Sequence, residues 1–376
     1  MLVSETKLKS SNQPTLRRFA VAFASLGAAM AVARPASASV TLYGLMDMGV
    51  DYVSNEGHGA SLKLTSGELQ QSRFGLLGTE DLSDGMQAIF KLENGFNAAN
   101  GALGAAGTLW SREARVGLVT RAGSVSLGLQ PASMVDYLGK YTASMLVYGP
   151  AYYSAHPGNY DRVLNFPISN SIKYTTPLLG GFSASALFGF GGQPGSITAQ
   201  STWSFGVGYD QGPLSIGAGY MKVNGPIGTA GILASTANPF TTTNANDALQ
   251  TYGVGGSYEI GSSLLFALFT QAQFRDADTK ARTYELGVKS VVAHFWTLGG
   301  DISHTDVSDH HAHLTTLSVS AAYALSKRTD AYGTFAVERA SGTNIDGTPL
   351  AAQLFALGAA SSGTQSVFRI ALRHKF

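Results

Sequence analysis

Few residues in this chain have the types and spacing that bond-making chemistry needs. The densest group is His304, Asp306, Asp309, His310, His311 and His313, imidazoles and carboxylates of the kind that ligate a transition metal. The same residues fit a hydrated surface loop with its two flanks, and that plainer reading is preferred, with no metal and no cofactor assigned. Gly189-Phe190-Gly191-Gly192 lacks the lysine of a phosphate-binding loop and reads as a turn. There is no cysteine nucleophile and no G-x-S-x-G elbow.

Most of the charge is instead laid out by parity. In the last stretch, QSVFRIALRHKF, Phe368, Ile370, Leu372 and Phe376 share one parity, while Arg369, Arg373 and Lys375 share the other. His374 interrupts the apolar side close to the chain end. A period of two is a strand, and one oily face with one charged face suits a barrel that is wet inside and lipid-coated outside. Gln87, Lys91 and Glu93 likewise share the inward parity of the stretch 86–96, which makes Lys91 a lumen candidate on local grounds.

The elements that carry these groups are strands throughout. Only 13% of residues are charged, about half the usual fraction, and beyond residue 40 no apolar run approaches the ~18 residues of a spanning helix. Alternation predicts strands at 40–52, 73–79, 86–96, 112–120, 125–130, 171–176, 182–190, 201–210, 213–224, 248–260, 262–274, 281–293, 295–306, 314–325, 329–340 and 365–376. Sixteen strands, with aromatic residues near both ends of many, predict an all-β antiparallel transmembrane barrel whose short turns alternate with longer loops. Residues 131–170 break the rhythm with a tyrosine- and proline-rich connection, and one longer than ~15 residues is usually functional. The stretch 225–246, rich in Thr, Asn, Gly and Ala, reads as a surface loop.

The stretches SVTLYGLMDMGVDYVS, SRFGLLGTEDLSDGMQAIFKLENGF, SREARVGLVTRAGSVSLG and the ALRHKF end together resemble the general diffusion porins of Gram-negative outer membranes, in their beta-proteobacterial branch. The resemblance implies a homotrimer of sixteen-stranded barrels with short periplasmic turns, long extracellular loops and a third loop, 131–170, folded inward. It implies a water-filled channel for passive diffusion of small hydrophilic solutes and ions. The alternatives are an outer-membrane barrel enzyme, a substrate-specific channel, or a soluble exported sandwich. By motif the resemblance gives Arg73 and Arg112 as basic residues of the pore constriction, Arg162 as a third, and Asp136 and Asp161 as the opposing loop acids. Arg112 and Arg115 differ in parity, so an inward Arg112 predicts an outward Glu113 and Arg115 on a regular strand, a cost that a subunit interface would relieve. Phe376 corresponds to the terminal aromatic read by the barrel-assembly machinery, and the other implied partners are outer-membrane lipid and lipopolysaccharide.

Lys7, Lys9, Arg17 and Arg18 precede the apolar run 19–33, and Ala36-Ser37-Ala38 follows. This is the pattern of a secretory signal peptide, so residues 1–38 are expected to be removed and 39–376 to form the barrel. Removal leaves 20 basic and 23 acidic residues, no basic footprint for nucleic acid. The mature chain should therefore begin at Ser39. N-terminal sequencing of outer-membrane material checks this, and an intact Met1 would refute it.

Overall fold

The computed structural model describes residues 38–146, 151–164, 167–225, 248–275, 279–308, 311–344 and 347–376. The expected leader up to residue 37, nearly all of the 225–246 stretch, and Asp309 and His310 lie outside the described residues.

Alternating side chains over most of the chain leave it one economical way to bury polar backbone beside lipid, which is to pair every strand with two others. The strands are β1 (Ala38–Glu56), β2 in two segments (Gly59–Ser66 and Arg73–Asp81), β3 (Gln87–Gly95), β4 (Glu113–Thr120) and β5 (Gly123–Pro131). A short helix α1 (Ser133–Leu138) follows, and then β6 (Pro167–Thr175), β7 (Phe182–Gly189), β8 (Thr202–Gln211), β9 (Leu214–Asn224) and β10 (Ala248–Ile260). The last six are β11 (Ser263–Phe274), β12 (Lys280–Val292), β13 (Trp296–Val307), β14 (Ala312–Ala324), β15 (Thr329–Ser341) and β16 (Thr364–Lys375). Each is antiparallel to its neighbours, and β16 pairs with β1 from Leu45↔Lys375 to Val53↔Val367. The sixteen-stranded sheet is thus closed and has no free edge.

Two details depart from the sequence reading. The first segment of β2 was expected to be an irregular break, yet Gly59–Ser66 pairs with β1 and turns Leu62 and Leu64 outward. The flanking glycine and serine hide that short alternation. Between the two segments Gly67 takes a φ of 87°, and the chain steps inward so that the amides of Leu69 and Gln70 both donate to Asp47 Oδ2 at 2.9 Å. The second departure concerns the long-loop end, where the connections 57–58, 275–279 and 308–311 are short because the strands they join run nearly to the rim.

The faces are inverted relative to a soluble protein. Val40, Leu42, Leu286 and Ile370 are each more than 60% exposed on the outer wall, while Asp47, Asp51, Arg369 and Arg373 inside are 0% exposed. Aromatic contacts mark the long-loop end (Phe188 with Trp203) and the short-turn end (Phe182 with Tyr209, Trp296 with Tyr323), as the two interface girdles require.

The β1–β16 seam is also tied by charge. Arg369 donates to Asp51 Oδ1 at 2.8 Å, Asp47 Oδ1 at 3.1 Å and Tyr332 OH at 2.9 Å. Gly49, between the two acids, makes the room, since a Cβ there would lie 2.6 Å from the guanidinium carbon. At the short-turn end Phe376 and Gly44 exchange two backbone hydrogen bonds of 3.0 and 3.1 Å, and the Phe376 ring covers Gly44. Phe376→Ala should therefore lower the yield of folded, heat-modifiable barrel and leave conductance of the folded fraction unchanged. Normal yield with altered conductance would refute that assignment.

Candidate functional site: the lumen and its inward loops

The loop after β5 enters the barrel because one arc of the inner wall is paved with glycine. Gly206 and Gly208 on β8, Gly217 and Gly219 on β9, and Gly253 and Gly255 on β10 all carry the inward parity. Helix α1 and the residues after it lie directly on them. A Cβ at Gly217 would meet the Tyr137 carbonyl oxygen at 2.6 Å, and one at Gly219 would meet Met134 Cγ at 2.6 Å. Met134, Val135, Leu138 and Tyr141 thereby join Leu187, Met221 and Leu268 of the wall in one buried cluster. At the short-turn side Lys140 Nζ binds Asp210 at 2.6 Å.

From that seat the loop crosses to the opposite wall. The Ala143 amide donates to Glu285 Oε1 of β12 at 2.7 Å, Ser154 Oγ lies 2.9 Å from Ser318 Oγ of β14, and Tyr153 OH donates to Asp51 of β1 at 2.8 Å. Tyr153 packs with Val53, Ala336, Leu354, Leu357 and Val367, so the connection 342–363 also folds inward. That second inward loop was not expected from the sequence. Its Leu354 and Leu357 stand in a stretch where Gly, Ala and Ser conceal any pattern.

The basic residues meet on β2 to β4. Glu93 accepts from Arg112 Nε at 2.7 Å and from Tyr43 OH at 2.7 Å, with Lys91 Nζ at 3.5 Å and Arg73 Nε at 3.7 Å. Lys91 and Arg115 both pair with Glu113. Arg73, Lys91 and Arg112 are thus brought together, and Arg115 joins them. The parity expected for Glu113 and Arg115 is overturned, because regular β4 starts only at Glu113 and Arg112 lies before the pleat begins. Glu113 and Arg115 pair in register with Glu93 and Lys91 and face inward as they do.

The other sequence candidates are placed differently. Asp136 on α1 pairs with Lys173 of β6 at 2.7 Å. Asp161 is buried, 2.5 Å from His156 Nδ1 and 2.6 Å from Thr270 Oγ1. Arg162 follows it with a φ of 62° and is half-buried on the loop. His304, Asp306 and His313 stand on the outer wall, away from the lumen.

His156 is the residue that sequence reasoning missed. Its other nitrogen lies 3.0 Å from Glu285 Oε2, so one ring joins a loop carboxylate to a wall carboxylate. Burial disfavours its charge, but Asp161 and Glu285 outweigh burial and hold the pKa up at about 10. Against ~6.5 for a free imidazole, its contribution to loop docking is complete below pH ~6.5 and is lost as pH rises through about 10. Open-channel current should therefore grow noisier as pH is raised from near neutral past 10, and His156→Gln should be noisy at both ends. Noise in the parent that is independent of pH would contradict the clamp.

Comparison with known proteins gives the same picture. Residues 20–343 match the Gram-negative porin family. The chain is 30% identical over 370 residues to outer membrane porin protein 32 of Delftia acidovorans, covering 94% of this chain and 97% of that one. Among solved structures it superposes on the anion-selective porin from Comamonas acidovorans with a TM-score of 0.73, at 24% identity over 90% of this chain and all of that one. It superposes on the trimer form of OmpT from Vibrio cholerae with a TM-score of 0.64, at 17% identity over 90% of this chain and 99% of that one. With the closed sixteen-stranded wall and its inward loop already described, the chain belongs to the Gram-negative porin family and forms an outer-membrane channel for passive diffusion of small hydrophilic solutes.

Proposed function

We propose that the narrow point of this channel lies where Arg73, Lys91, Arg112 and Arg115 face the inward loop, and that it prefers anions weakly. The observation that carries this is local charge. Among the described residues those four cations share two carboxylates, Glu93 and Glu113, while each loop acid is already paired: Asp136 with Lys173, and Asp161 with His156, which Glu285 also binds. Charges beyond ~10 Å are largely screened at 0.1 M salt, so the negative total of the mature chain counts for little. Read from sequence alone, the loop acids count as free charges and the balance leans to cations. Once they are paired, the same reasoning leans the other way. The Comamonas protein, described as anion-selective, is in line with this.

The channel works on concentration differences alone and performs no chemistry on what passes, and nothing among the described residues favours the enzyme alternative. We propose further that the mature chain forms a homotrimer, as the Vibrio protein does in its trimer form, and that Phe376 is read during assembly. A heat-labile oligomer on a gel is the expected mark of the trimer, and a barrel running only as monomer would exclude it.

Reversal potential under a salt gradient tests the charge assignment. Arg73→Ala and Arg112→Ala should each shift it toward cations, Asp136→Asn should shift it toward anions, and the shifts should shrink at high salt. If neither arginine substitution moves it at low salt, the narrow point lies elsewhere.

A further inference from the structure

The outer wall near the long-loop end carries polar groups that the channel does not use. In β13, Asp301, Ser303 and Thr305 are buried inward, so Ile302, His304 and Asp306 share the outward parity. Ile302 belongs to the apolar belt, and His304 and Asp306 stand above it toward the rim. Asp306 pairs in register with His313 of β14, and His304 with Thr315. Both imidazoles converge on one carboxylate oxygen: His304 Nε2 is 3.1 Å and His313 Nδ1 is 2.7 Å from Asp306 Oδ1. The two rings are nearly parallel, with centroids 6.0 Å apart. Their three ligand atoms all lie within 4.8 Å of one another.

From this geometry we infer that His304, Asp306 and His313 form a binding site for one divalent ion of the zinc class, on the outward face of the barrel. Tetrahedral zinc with ligands at ~2.0–2.1 Å holds its donor atoms roughly 3.3 Å apart. The three side chains are 44%, 40% and 49% exposed, free enough to close that difference by small rotations, while the paired strands fix their Cα positions. A groove of about 480 Å³ opens beside the two rings, lined also by Thr315, Arg339, Ser341 and Thr364. It leaves a fourth coordination position for water. Bound there, the ion would tie β13 to β14 below the 308–311 turn.

The class of ion follows from the neighbours. Arg282 stands opposite Asp306 in register, and Arg339 stands opposite Thr315. A hard cation such as calcium needs six or more oxygen ligands, and here it would meet one carboxylate and two guanidinium groups. Zinc, nickel or copper gains from the imidazole lone pairs instead, and tolerates that field better. The ion binds through the imidazole lone pairs, so it competes with protons for both rings.

The test uses the purified full-length barrel, folded in detergent and stripped with chelator, titrated with Zn2+ by calorimetry and with Co2+ by visible absorption. At about pH 7.5 one ion per chain is expected, with the intense bands of a four-coordinate Co2+ site. His304→Ala, His313→Ala and Asp306→Asn should each weaken binding by about tenfold or more. His58→Ala and His294→Ala, at other turns of the barrel, should bind as the parent does. Heat-modifiable mobility identifies the folded variants, and His304→Gln and His313→Gln replace any alanine variant that does not fold. The inference is overturned if the parent binds no ion beyond the His304→Ala/His313→Ala double variant, if that double variant binds equally well, or if Co2+ stays six-coordinate.

Discussion

In hydrocarbon an unpaired backbone amide has no water to turn to, so a sheet that enters a membrane must close on itself. Everything else in this protein follows from that closure. β1 and β16, the first and last strands, close the sheet by pairing with each other on the side their chain neighbours leave open, and their pairing settles which parity faces lipid and which faces water. The charges at the seam obey the same division. Asp47 and Asp51 meet Arg369 across the join, with Gly49 giving it space. Removing one partner of such a buried set typically costs about 3–5 kcal/mol, because the other charge is left behind. The seam is thus held by backbone on the wall and by ion pairs inside it.

A closed barrel of this size would be wide, and its interior is narrowed by chain that carries little regular structure of its own. The connection after β5 lies with residues 133–141 on the glycine arc of β8 to β10, where missing side chains let backbone and aromatic rings approach the wall. It then reaches the far wall through Glu285, Ser318 and Asp51. The 342–363 connection closes over Tyr153 from the other side. Arg73, Lys91, Arg112 and Arg115 stand together on the inner face of β2 to β4, each partly exposed. In the constriction we propose, selectivity depends on which charges are already paired by the loop, since a paired carboxylate contributes little field to a passing ion.

The wall was legible in the sequence because its period of two is imposed by lipid on one side and water on the other. Sixteen strands were readable, and only the broken second strand was incomplete, its outer half hidden among glycine and serine. The loop was legible as an interruption, but that inward glycines of β8 to β10 seat it was not read, because nothing in their spacing names an occupant. Motif and parity picked out Arg73, Lys91 and Arg112, which the fold brings together around Glu93, and one parity reading was wrong. Arg112 was counted as part of a regular strand, which turned Arg115 the wrong way, and periodicity cannot reveal where a pleat begins. The partners of Asp136 and Asp161 were not readable at all, because Lys173 and His156 reach them through the folded path of the loop and not through any spacing. The same holds for Asp306, whose contacts with His304 and His313 depend on cross-strand register.

The connection after β5 is folded inside the barrel and pinned to the far wall. Because the chain has no cysteine, a background-free cross-link can test this directly. Ser154 on the loop and Ser318 on the β14 wall have hydroxyl oxygens 2.9 Å apart, close enough for cysteines at both positions to meet the distance requirement of a disulfide. The account predicts that Ser154→Cys/Ser318→Cys oxidises to an intramolecular disulfide in the outer membrane, seen as a faster band without reductant, and still conducts. Two free thiols that fail to cross-link under oxidant, and that each react with a membrane-impermeant maleimide, would place the loop outside the lumen and contradict it.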